Sequence, residues 1–326
     1  MHNRFQYVES SLGIRSGLRL IRTGVPQGSI LGPLLFLLYI NDLPSAFPNA
    51  HSILFADDTT CACNPKDLQR MCNVIAKWFW SNKLQLNVGK TKYMIFTLSH
   101  VDELNIKLYD NVLERVTSTC FLGCYIDECL RWNVHINQAC KKISRGVGLL
   151  KYVSGFVPLY VKRIIYFAYV YPHIMYCLSI WGNAADIHTR RVLLLQKKAI
   201  RIVCNAGYLA HVKPLAYGQK FLLLPELHDL SLVLFFYRCC ILLWNVNIFS
   251  NRNIIPARQL RSCTRNAQNN NYYIPFSRTC IRRNSIILQC ALLWNSLPPN
   301  LKSIATVHSL KRSYFVILLA RYAITS

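Results

Sequence analysis

The order of apolar and polar positions gives the chain two textures. Before about residue 130 the apolar runs are short and bounded by turn residues, as in strands and hairpins. Gln6-Tyr7-Val8 and Leu18–Arg22 form a first strand pair joined through the Gly13–Gly17 turn region. Gly24-Val25-Pro26-Gln27-Gly28-Ser29-Ile30-Leu31-Gly32-Pro33 packs three glycines and two prolines into a loop, which opens a helix over Leu34–Asp42. Ile53-Leu54-Phe55-Ala56-Asp57-Asp58-Thr59-Thr60 reads as strand, tight turn, strand. The spacing of Leu68, Met71, Cys72, Ile75, Trp78 and Phe79 predicts a helix from Asn64-Pro65 to about Trp80, with Trp78, Phe79 and Trp80 in the core. Leu84–Leu86 and Tyr93–Phe96 are expected as strands. Ile106–Leu108 and Leu113–Val116 form a hairpin around Asp110-Asn111, and Phe121–Asp127 is a strand ending in a turn.

From Trp132 onward helical periodicity takes over. Helices are expected over Val134–Val153, Pro158–Tyr171, Thr189–Cys204, Leu222–Trp244 and about Thr306–Ile324, with Arg252–Asn271 as an exposed polar loop. The whole is an α+β chain with a boundary near residue 130: a mixed region over 1–130 and a helical region over 131–326.

Composition changes the picture mainly through charge. The 326 residues carry 38 Lys and Arg against 14 Asp and Glu, a formal net charge of +24. Such an excess serves no folding purpose and points to a polyanionic partner, nucleic acid before an anionic membrane surface. Lys141, Lys142, Arg145, Lys151, Lys162, Arg163, Arg190, Arg191, Lys197, Lys198 and Arg201 lie along the expected helices. The 14 cysteines contain no Cys-x-x-Cys pair and no zinc spacing with histidines, so reduced, buried thiols in an intracellular protein are expected. His135, His173, His188, His211 and His228 lack metal spacing. No apolar leader opens the chain, and Leu230–Trp244, interrupted by Arg238, falls short of the roughly 18 residues a spanning helix needs. No membrane association, and a nuclear or cytoplasmic location, are expected.

The candidate chemistry sits at Asp57-Asp58. Two carboxylates between an apolar run and β-branched residues cost desolvation unless a cation is bound, and hard oxygen ligands suit magnesium carrying a phosphate. A solvated turn is the plainer reading of the pair taken alone.

Taken in order, these segments resemble the reverse transcriptase of non-LTR (LINE-type) retrotransposons. The Gly24–Phe36 segment and Phe55-Ala56-Asp57-Asp58 carry most of the likeness. Leu86-Asn87-Val88-Gly89-Lys90-Thr91-Lys92 and Phe121-Leu122-Gly123 follow in the same order, and downstream Trp132, His135-Ile136, Tyr171-Pro172 to Trp181-Gly182, Gln196–Arg201 and Trp294–Pro298 extend it over nearly the whole chain.

The resemblance implies a polymerase palm over 1–130 and a helical, thumb-like nucleic-acid-binding region over 131–326. It implies RNA-directed DNA synthesis on an RNA template and DNA primer from deoxynucleotide triphosphates, with Mg2+, or Mn2+ in its place. By the same likeness Asp57 and Asp58 would hold catalytic metal, and Phe55 would pack against the primer end. Pro26, Gln27 and Gly28 would line the nucleotide and template pocket. Lys90 would lie near the triphosphate as a catalytic group, with Lys92 the other candidate, and Phe121, Leu122 and Gly123 would grip the primer.

One part of the pattern is not met. The likeness also calls for an aspartate on a strand upstream of the glycine-rich loop, and residues 1–23 hold a single acid, Glu9. The expectation is therefore a polymerase part truncated at its N-terminus, without fingers or endonuclease segments and inactive in isolation. The alternatives are a catalytically inactive basic nucleic-acid-binding remnant and an unstable relic.

Overall fold

The computed structural model describes residues 4–21, 25, 28–98, 102, 104–241, 256 and 271–323. The chain forms two compact units, Met1–Ile95 with Ser99–Val116, and Phe96–Leu98 with Thr117–Ser326.

The first unit is built from short pieces. β1 (Arg4–Gln6) and β2 (Arg19–Ile21) form an antiparallel hairpin; β1 lies two residues earlier than the Gln6–Val8 strand that the patterning predicts. Helix α1 spans Leu31–Ile40, and a 3-10 turn over Leu43–Ala46 follows, with Asp42 at its N-cap. β3 (His51–Phe55) and β4 (Asp58–Ala62) make the second hairpin. The Asn64 side chain accepts a bond from the Lys66 amide and opens a 3-10 turn, Pro65–Asp67, that runs into α2 (Leu68–Ser81).

Helix α2 divides this unit's core in two. Met71 and Phe79 pack with Ile40, Leu43 and Phe47, while Cys72 packs with Tyr93, Ile95, Ile106, Leu108 and Leu113. Trp80, expected in the core, is exposed: it falls opposite Met71 around α2 and about 100° from Phe79. Leu84–Leu86, expected as a strand, forms none. The extended pieces here are β5 (Lys92–Tyr93), β6 (Lys107–Leu108), β7 (Asn111–Val112) and β8 (Glu114–Arg115). β5 runs parallel to β8, and β6 pairs with β7 through Tyr109-Asp110, one residue earlier than the patterning suggests.

The second unit begins with a hairpin of β9 (Ser118–Phe121) and β10 (Cys124–Asp127). The stretch expected as one strand therefore turns in its middle, at Leu122-Gly123. Gly123 has φ +81 there, a conformation that L side chains rarely adopt. Eleven helices follow: α3 (Asn133–Val153), α4 (Leu159–Tyr169), α5 (Tyr171–Met175), α6 (Leu178–Trp181), α7 (Asp186–Val203), α8 (Val212–Gly218), α9 (Leu224–Phe236), α10 (Cys280–Arg283), α11 (Ile286–Ser296), α12 (Pro299–Lys302) and α13 (Val307–Ala320), counted among the described residues.

The periodicity predicts the long helices to within a few residues. The helix expected over Leu222–Trp244 closes its α-helical part at Phe236, and a π-helical turn, Tyr237–Ile241, follows. Its last expected residues, and nearly all of the Arg252–Asn271 loop, lie outside the described residues. One continuous core joins these helices, with Trp181 and Trp294 at its largest buried positions. α3 and α4 approach so closely at Gly146 that a Cβ there would stand 2.5 Å from the Tyr169 carbonyl oxygen. Within this core the buried Gln196 side-chain amide donates to Tyr166 Oη at 3.1 Å and to the Leu222 carbonyl at 3.0 Å.

Candidate active site

Alternation along β3 and β4 sorts their side chains onto two faces. Leu54 and Cys61 turn inward onto the Ile40–Phe79 core, while Ile53, Phe55, Asp58 and Thr60 face outward and are exposed. Phe55 pairs directly with Asp58 across the ladder, so Ala56-Asp57 forms the two-residue connection. Ala56 has φ +49, a conformation uncommon for a residue with a Cβ. The tight loop holds Asp57 at the tip and Asp58 at the first position of β4. Phe55, 59% exposed, stands beside them.

Among the described residues neither carboxylate enters a hydrogen bond or an ion pair, and no group of three His, Cys, Asp or Glu is placed to hold a metal. The donor chemistry nevertheless suits magnesium. That ion is typically bound by one or two carboxylates together with waters and substrate phosphates, and two uncommitted carboxylates on a rigid hairpin match that set.

The other sequence-derived positions fall on separate elements. Pro26 and Gln27 lie outside the described residues. Gly28 has φ +82 with open space where a side chain would be. Lys90 ends the 3-10 turn Val88–Lys90, whose Asn87 cap accepts the Lys90 amide, and its side chain is exposed. Lys92, the other candidate, is engaged by Glu114 at 2.8 Å. Lys90 is thus the better placed of the two for an incoming anion.

In the second unit, Phe121, Leu122 and Gly123 form the tip of the β9–β10 hairpin, and three contacts hold the hairpin, one of them at the tip. Tyr176 donates its hydroxyl to the Leu122 carbonyl, and a Cβ on Gly123 would meet the same hydroxyl at 3.3 Å. The Tyr125 amide donates to His135 Nδ1 at 3.3 Å. The Asp127 carboxylate accepts the Arg131 and Trp132 amides at 2.9 and 2.8 Å, just before α3. These bonds to the segment leading into α3 account for a buried acid without any metal.

Tyr176 and His135 as supports of the tip could not be read from the sequence, because more than fifty residues separate Tyr176 from Leu122. The same region brings Cys124 and Cys177 together. The Cys124 thiol is pushed up by its hydrogen bond to Cys177, and Cys177 is lowered to about 7 by that bond. Burial holds His135 below its usual value, helped by the charge of Lys142.

Charge is divided unevenly. Thr117–Ser326 holds 26 of the 38 basic residues and five of the 14 acids: Asp127, Glu128, Asp186, Glu226 and Asp229. Three of these acids serve internal contacts: Asp127 as above, Asp229 to Arg321 at 2.9 Å, and Glu226 accepting from Tyr322 at 2.7 Å. They leave little to offset a strongly basic surface. No helix among the described residues is long and apolar enough to cross a membrane.

Residues 6–126, which include the Asp57-Asp58 hairpin and the β9–β10 tip, match the reverse transcriptase (RNA-dependent DNA polymerase) family. The chain is 29% identical over 211 residues to a probable RNA-directed DNA polymerase from transposon BS of Drosophila melanogaster, covering 58% of this chain and 23% of that protein. It is 26% identical over 236 residues to the RNA-directed DNA polymerase from mobile element jockey of Drosophila funebris, covering 67% of this chain and 25% of that protein. The Pol polyprotein from type-1 retrotransposable element R1 2 of Nasonia vitripennis is 26% identical over 201 residues, covering 56% of this chain and 48% of that protein. No solved structure matches. The chain thus spans about a quarter of the length of the first two relatives. In its order of motifs and in these relatives, the chain is similar to the reverse transcriptases of non-LTR retrotransposons, and the family match itself spans residues 6–126.

Proposed function

We propose that this chain supplies the carboxylate hairpin and the duplex-holding region of an RNA-directed DNA polymerase. The observation that carries the reading is the pair of exposed, uncommitted carboxylates of Asp57 and Asp58 on a two-residue turn, within a segment of reverse-transcriptase sequence.

The reaction is attack of a primer 3′-hydroxyl on the α-phosphorus of a deoxynucleotide triphosphate, with pyrophosphate leaving. Phosphoryl transfer of this kind asks the protein for positioning and charge rather than covalent chemistry. Bound magnesium would neutralise the triphosphate and favour the attacking alkoxide. Asp57 and Asp58 would hold it, and Phe55 would support the primer end. Gly28, with Pro26 and Gln27, would let backbone lie flat against the nascent base pair. Lys90 would meet the triphosphate and give the leaving pyrophosphate a proton, and the Phe121–Gly123 tip would hold the primer backbone. In this reading residues 1–130 are palm, and residues 131–326 are a thumb-like region whose basic helices follow the phosphates of the template–primer duplex.

Helix α1 supports a place within a larger polymerase. It is apolar on every side, yet Leu34, Leu35, Leu37 and Leu38 are about half exposed or more. Further polymerase segments, including the one that brings the partner aspartate, would cover it.

The test is a fusion of this chain behind the preceding polymerase segment of the jockey relative. RNA-templated extension in Mg2+ is expected. Asp57→Ala is expected to lower it by at least about 100-fold, the scale of losing a major electrostatic group at a reacting centre, with template–primer binding unchanged. Extension that survives Asp57→Ala overturns the reading. The chain alone is expected to bind but not extend.

A second reading, a basic nucleic-acid-binding protein without catalysis, is favoured by the charge of the second unit. It requires binding that ignores Asp57→Ala and falls steeply with salt.

A further inference from the structure

In the second unit, one face of α7 carries Arg190, Leu194, Lys197 and Arg201 at helical spacing. At its C-terminal end this face forms one wall of a cleft of about 590 Å3. Lys197 and Arg201 contribute from α7, Leu209, Ala210 and His211 from the following loop, Val212, Lys213 and Pro214 from the start of α8, and Leu223 from beyond it. Arg201 Nε donates to the Ala210 carbonyl at 2.9 Å and so ties the loop to the helix. The cleft is held by the fold rather than left by a loose loop.

Its chemistry is specific in two respects. Among the described residues no acid lines it, while Lys197, Arg201 and His211 do, which favours an anion. The remaining lining is aliphatic: Leu209, Ala210, Val212, Pro214 and Leu223. A bare inorganic anion has no use for such walls, whereas a ligand with a charged group beside a flat apolar body fits both. The volume lies in the usual range for small-ligand pockets, about 300–1,000 Å3. Leu209 on the lining is 87% exposed, and its neighbour in the chain, Tyr208, is 80% exposed. An unstacked nucleobase is the partner that an exposed tyrosine next to cations would take.

We propose that this cleft binds single-stranded nucleic acid, seating one nucleotide with its phosphate against Lys197 and Arg201, its base on the aliphatic wall and a neighbouring base on Tyr208. The inference rests on the polyanion-binding role proposed for the second unit and is independent of the Asp57-Asp58 chemistry. A duplex, whose bases are stacked inside, reaches the basic helices but not this cleft.

The test uses the full chain with a fluorescein-labelled oligouridylate of roughly 10 nucleotides, a length within the range that single-strand-binding sites cover, and with an RNA–DNA duplex of equal length. Lys197→Glu is expected to weaken the single strand about tenfold and the duplex by about twofold at most. Ala210→Trp, which fills the cleft without changing charge, is expected to weaken only the single strand. Lys141→Glu, an equal charge change at an exposed position on α3, is the control and is expected to cost both ligands about twofold. A 4-thiouridine oligonucleotide should cross-link within residues 197–214.

Equal losses from Lys197→Glu and Lys141→Glu, single-strand binding that ignores Ala210→Trp, or cross-links confined elsewhere overturn the proposal. So does binding to vesicles of anionic phospholipid that is lost in Lys197→Glu while the oligonucleotide still binds. Wild-type binding of duplex without single strand overturns this inference alone and leaves the template–primer reading standing.

Discussion

The two units solve the burial problem in opposite ways. The second closes a single core around Trp181, Trp294 and the faces of α3, α7 and α9. The first splits a smaller core on the two sides of α2 and leaves α1, the β1–β2 hairpin and the outer face of β3–β4 exposed although they are rich in apolar residues. The uncommitted Asp57 and Asp58 carboxylates stand in the less complete unit, and the contacts around the Phe121–Gly123 tip belong to the complete one. A self-sufficient scaffold can hold a loop still with Tyr176 and Asp127. A surface meant to receive other molecules or segments keeps its acids and its leucines uncommitted.

The largest effect that would break this comparison is in the second unit's core. Trp181→Ala removes a fully buried ring and is expected to cost about 4 kcal/mol, read as a lower denaturation midpoint. Phe55→Ala, in the open face of the first unit, is expected to change stability by no more than about 0.5 kcal/mol. Equal losses would remove the distinction. Next is the α3–α4 contact. Gly146→Ala drives a methyl against the Tyr169 backbone and should cost about 2 kcal/mol, measured by thermal unfolding.

A thiol test sharpens the account of the β9–β10 tip. With its pKa at about 7, Cys177 is half thiolate near neutrality, whereas an ordinary cysteine is nearly all thiol. Iodoacetamide at pH 7 should label Cys177 roughly tenfold faster than the buried thiols, allowing for the weaker nucleophilicity of a low-pKa thiolate. Labelling should slow as pH falls below 7 and the thiolate is protonated. Cys124→Ala removes the stabilising S–H donor and should abolish the advantage, and an unchanged rate would refute the pairing. The smallest effect concerns α1: Leu38→Ser at an exposed position should leave stability within about 0.5 kcal/mol while reducing self-association, read by light scattering.

Much of the fold can be read along the chain. The periodicity of α2, α3 and α7 and the alternation of β3 and β4 come from local burial patterns that need no knowledge of distant partners. The misses have equally local causes. Leu84–Leu86 alternates like a strand, but backbone pairing needs a partner that arrives only with the fold. Phe121–Asp127 looks continuous because Leu122 is apolar, although Gly123 supplies the φ that the turn requires. Trp80 is apolar and adjacent to Phe79, yet a step of about 100° around the helix puts it in solvent.

The same division holds for the site. Sequence alone determined the order of motifs, the Asp-Asp pair between strand-like runs, the excess of positive charge and, through these, the likeness to reverse transcriptases. Those are properties of composition and of near neighbours. Only the tertiary structure decided that Lys92 is engaged by Glu114 while Lys90 is exposed, that Asp127 holds the Arg131 and Trp132 amides, that Tyr176 holds the Leu122 carbonyl, and that Lys197 and Arg201 share a cleft with Pro214 and Leu223. Each depends on groups brought together from different elements, and the spacing of residues along a chain does not encode which distant surfaces burial will press together.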